Sequence, residues 1–105
     1  MTDRELLELA AKAAGVTIDR WLNGSDATAV CGFETWQPLY DDGDALRLAV
    51  KLGLGISIPL ANKRTDVVTF SGPIISVIEA HGDPYAATRR AIVRAAAEIG
   101  KEAQS

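Results

Sequence analysis

At 105 residues, with 48% apolar and 24% charged side chains, the chain has the composition of one globular domain and excludes a disordered one. The formal charge of −3 argues against nucleic-acid binding by bulk electrostatics, and the single cysteine, Cys31, excludes an intramolecular disulfide and a multi-cysteine zinc site. Asp3, Glu5 and Glu8 interrupt the N-terminus where a leader would be apolar, and no window carries the ~18 apolar residues of a membrane span. A cytoplasmic protein without a membrane segment is the expectation.

Thr2-Asp3-Arg4-Glu5 has the spacing of a capping box, so a helix is predicted from Asp3 to about Ala14, stopped by Gly15. Leu6, Leu9, Ala10 and Ala13 form its apolar face, opposite Glu5, Glu8 and Lys12. Val16 to Asp19 alternates and Ala27 to Phe33 is rich in small and β-branched residues. With the turn signature Asn23-Gly24-Ser25-Asp26 between them, they predict a hairpin. Trp21, Phe33, Trp36 and Tyr40 fall in or beside it.

A second helix is predicted to start near Asp42 or Asp44 and to end at Gly53. Its only charged stripe is Asp44, Arg47 and Lys51, which predicts burial around most of its circumference. Leu54, Ile56, Ile58 and Leu60 then alternate as a half-buried strand. Pro59 cannot donate to a ladder, so that strand is expected at a sheet edge or with its residue-59 side turned to solvent. Asn62 to Asp66 reads as a polar turn. Val67–Phe70 and Ile74–Glu79 are further extended runs, broken at Ser71-Gly72-Pro73. The last helix is predicted from Pro84, capped by Asp83, to about Ile99. The order α-β-β-α-β-β(-β)-α with short connections predicts one α+β domain over 1–105, ordered at about 2–100, with a frayed tail over 101–105. Its sheet is expected to be antiparallel, with four to five strands and three helices.

Asp42-Gly43-Asp44-Ala45-Leu46-Arg47-Leu48-Ala49-Val50 and Asp83-Pro84-Tyr85-Ala86-Ala87-Thr88-Arg89-Arg90-Ala91-Ile92-Val93 resemble the hallmark blocks of the phage ABA sandwich domain proteins. The opening Glu5 to Gly15, and Trp36 with Pro38, fit the same pattern. The resemblance implies a helix/sheet/helix sandwich of phage or prophage origin. It carries no activity, cofactor or catalytic residue.

No catalytic constellation stands out in the sequence, and no cofactor or metal is expected. Asp41, Asp42 and Asp44 fail the calcium-loop template, because position 12 counted from Asp41 is Leu52; as caps of a helix N-terminus they are accounted for. His81, the only histidine, has no triad partner at a familiar spacing. Cys31 has no neighbouring cation to activate it, and Gly53-Leu54-Gly55 lacks the rest of a phosphate loop. Three function classes remain open. The leading one is a non-catalytic accessory protein binding a phage or host protein through Trp21, Trp36 and Tyr40, with a homodimer as its competitor. The second is nucleic-acid association through Arg89, Arg90 and Arg94 of the last helix, which carries a local +2 over 84–105 once Lys101, Glu98 and Glu102 are included. The third is a small-ligand or metal site near Asp42, Asp44 and His81.

Overall fold

The computed structural model describes residues 1–22, 28–70, 74–80 and 82–102. The predicted turn at Asn23–Asp26, the break at Ser71–Pro73 and His81 lie outside the described residues.

The helices begin and end where the caps demand. Helix α1 spans Asp3–Ala14: the Thr2 hydroxyl accepts from the Glu5 N–H at 3.1 Å, and Gly15 closes the end in the left-handed region at φ 71°. The Glu5 carboxylate accepts that same hydroxyl's proton. Helix α2 spans Asp42–Leu52, with Asp41 accepting from the Asp44 N–H at 2.8 Å and Gly53 at φ 63°. Helix α3 spans Pro84–Glu102, and the Asp83 carboxylate accepts from the Tyr85 N–H at 2.9 Å.

The strands depart from expectation in number and grouping. They are β1 (Arg20–Trp21), β2 (Ala29–Cys31), β3 (Glu34–Trp36), β4 (Gly55–Ser57), β5 (Arg64–Val68) and β6 (Ser76–Ala80). In place of one sheet of four to five strands, the described residues form two antiparallel sheets of three, ordered β1-β2-β3 and β4-β5-β6. Val16–Asp19 is not itself a strand; β1 begins after it. The extra strand of the first sheet comes from a tight turn at Gly32-Phe33, with Gly32 at φ 66° and its N–H donating to Asp19 at 2.6 Å. In the second sheet the expected polar turn at Asn62–Asp66 is mostly strand. A 3-10 turn at Leu60–Asn62 reverses the chain, and β5 begins at Arg64.

Helix α3 is the centre of the molecule. Ala91, Val93, Ala95 and Ala96 are fully buried, because α1 packs along one side of it and β5 and β6 along the other. The small side chains permit close approach. The layer order is therefore helix, helix, sheet, rather than the helix/sheet/helix sandwich that the resemblance implies. On β5, Thr65, Val67 and Thr69 face α3 and are completely buried. The Thr65 hydroxyl is hydrogen-bonded to that of Thr88 at 2.9 Å, and Thr69 accepts from the Ile75 N–H at 2.9 Å, so both buried hydroxyls are satisfied. The opposite sheet face carries Phe70, Ile74 and Ile78 at 58–79% exposure, and no described helix covers it. The strand does lie at an edge: among the described residues β4 pairs with β5 alone, although it ends at Ser57 and Leu60 joins a 3-10 turn instead of the strand.

The face of α1 is rotated by about one position from the predicted one. Leu7, Ala10, Ala11 and Ala14 are buried with Leu6, while Leu9 and Ala13 are only half-buried. Lys101 and Glu102 continue α3 where a frayed tail was expected, and Gly100 is buried. No helix among the described residues is long and apolar enough to cross a membrane.

Candidate functional site: an apolar groove between α2, β4 and α3

Helix α2 buries Ala45, Leu48 and Ala49 but leaves Leu46 60% and Val50 72% exposed. This corrects the expectation of burial around most of its circumference. Leu46 faces an open groove of about 530 Å³. Ile56 and Ile58 of the β4 run and Leu60 of the 3-10 turn form the wall opposite Leu46; Thr88 and Ile92 of α3 lie between. Leu60 and Tyr85, at 65% and 69% exposure, stand at the rim. The lining between these residues is almost wholly apolar.

One end of the groove is polar. The Arg89 guanidinium donates to an Asp42 carboxylate oxygen at 2.7 Å and to the Leu39 carbonyl at 2.9 Å. The Arg89 side chain is 16% exposed and that of Asp42 69%, so the cation is held inside and the carboxylate faces out.

The other two arginines of α3 are also engaged. Arg90 donates to Asp3 of α1 at 3.2 Å, and Arg94 donates to Glu79 of β6 and to the Ile78 carbonyl. Arg89, Arg90 and Arg94 thus tie α3 to three different elements, and each charge is met by a carboxylate.

The aromatic candidates are dispersed. Trp21 and Trp36 are half-buried against the core, and the Arg4 guanidinium lies 4.9 Å from the Trp21 ring centre. Tyr40 is exposed, as is Phe33 at the β2–β3 turn. Trp36 also borders a second, polar groove of about 860 Å³ with Cys31, Glu34, Asp44 and Arg47. Burial pushes the Cys31 thiol above its ordinary pKa, and Asp19, Asp44 and Glu34 push it further. The thiol stays protonated at neutral pH. Asp44 is spent locally: it accepts from the Gln37 N–H at 3.0 Å and from Arg47 at 2.5 Å, which holds the Arg47 pKa up. Among the described residues, no three His, Cys, Asp or Glu side chains are arranged to hold a metal ion.

Sequence reasoning did not single out Leu46, Ile56, Ile58, Leu60 or Tyr85 as site residues. The available signal was an apolar excess: α2 has more apolar positions than one core-facing stripe uses, and the 54–60 alternation runs on past Pro59. The chain matches no family model, no curated protein and no solved structure.

Proposed function

We propose that this chain is a non-catalytic accessory protein that binds another protein through the groove between α2, β4 and α3. The observation that carries the proposal is the gathering of exposed apolar side chains from four segments, Leu46, Ile58, Leu60 and Tyr85, around one groove. A protonated, unactivated Cys31 supports the non-catalytic part. The likeness of the α2 and α3 segments to phage ABA sandwich proteins adds a phage or prophage setting, with a phage or host protein in the cytoplasm as partner. Tyr40 stands outside the groove lining, and the engaged arginines favour structural roles over phosphate contacts.

Site-specific photocrosslinking tests the reading. A photoreactive side chain at position 46 or 60 is expected to give one discrete protein adduct in phage-infected host cells, resistant to nuclease. The same group at the remote exposed position Glu8 is expected to give none. Equal adducts at all three positions, or none at 46 and 60, would refute it.

A further inference from the structure

The groove has a definite shape. Helix α2 turns at Gly53 almost directly into β4, so the two elements diverge from a common apex while both border α3. β4 is an edge strand, and no described strand pairs with its outer side. The groove thus lies beside the open edge of β4, between it and α2. Beside that edge Leu46 is bare, and Ile56, the register partner of the fully buried Val67, stays 37% exposed, with Ile58 at 44%.

We propose that one extended segment of a partner protein occupies this space, adding to β4 as a fourth strand. The proposal rests on the protein-binding reading above and specifies the partner's chemistry. Strand addition satisfies the open edge by main-chain hydrogen bonds and sends alternate side chains inward, here between Leu46 and Ile56 toward Ile92. Those alternate side chains are apolar. Pro59 ends the pairing on one side.

At the polar end of the groove the Asp42 side chain is 69% exposed despite its ion pair with Arg89. A Lys or Arg in the segment complements that end. A second copy of this chain would bring its own α2 to the same edge, since α2 runs almost directly into β4, whereas a lone extended segment brings no helix.

The test is selection of displayed random ten-residue peptides on the intact chain. The expected winners carry apolar residues at alternate positions and a basic residue at one end, and lose at least tenfold in affinity to Leu46→Asp. N-methylation at alternate peptide amides, those facing β4, is expected to cost tenfold, and at the intervening amides little. Leu60→Glu serves as the second variant if Leu46→Asp loses the wild-type circular dichroism spectrum.

Winners with apolar residues at helical spacing that still depend on Leu46 would overturn the strand while leaving the protein-binding reading in place. A concentration-dependent dimer, seen by sedimentation and abolished by Leu46→Asp, would overturn both the strand and the reading, because the groove would then be closed by a second copy. Winners indifferent to both variants, or no enrichment over Leu46→Asp, would overturn the strand and the reading together.

Discussion

Gly100 has no room for a methyl group: a Cβ there would stand 2.1 Å from the Leu9 carbonyl oxygen of α1. The oxygen belongs to a helix backbone and cannot swing aside, so α1 and α3 must separate. Gly100→Ala is expected to destabilise the fold by about 1–3 kcal/mol, although alanine in an open helix would gain up to ~1 kcal/mol. Urea unfolding followed by circular dichroism measures the difference, and a stabilised variant would contradict the close contact. The sequence pointed the other way at this position, since a glycine after an alanine-rich run reads as a helix stop. The reason the helix continues lies in α1, ninety residues away. At Cys31 the raised pKa predicts slow alkylation at pH 8, because only the thiolate reacts and little of it is present. Iodoacetamide is expected to label the folded chain more slowly than an unstructured cysteine peptide. Asp19→Asn is expected to narrow the gap only in part, as burial is the larger cause.

At the scale of elements, the caps were legible and the sheet was not. Thr2, Gly15, Asp41, Gly53 and Asp83 set the helix ends through local hydrogen bonds and left-handed turns, which sequence reports directly. Strand grouping depends on pairing across the chain. Nothing in the Gly32-Phe33 neighbourhood announces that β3 exists apart from the glycine itself. The groove was half legible: the alternation at 54–60 is plain, yet helical periodicity alone cannot say which apolar positions of α2 meet a neighbour. Two stability predictions belong here. Asp41→Ala removes the α2 cap and is expected to cost about 1 kcal/mol. Arg89→Ala is expected to cost more than Arg90→Ala: Arg89 is mostly enclosed and holds the Leu39 carbonyl, while Arg90 is 41% exposed. The Arg90–Asp3 pair falls in the exposed class worth about 0–1 kcal/mol. Denaturant midpoints of the two variants rank them.

The whole molecule is layered on one side only. Its helices crowd together, leaving Phe70, Ile74 and Ile78 bare on the far face of the second sheet, with the Phe70 ring packed over Gly55. Ile74→Lys with Ile78→Lys is expected to leave the unfolding midpoint nearly unchanged and to raise the concentration at which light scattering begins on heating. A drop of several degrees in the midpoint would show that the face is covered in the native state. The helix-on-helix core has a further consequence, in time rather than in space. The buried face of α1 has its partner in residues 91–100, so it waits through most of synthesis for the surface it packs on. At 5–20 residues per second that interval is on the order of 4–17 s, far longer than the microseconds in which a helix forms. During it Leu6 and Leu7 are open to whatever binds nascent apolar chain.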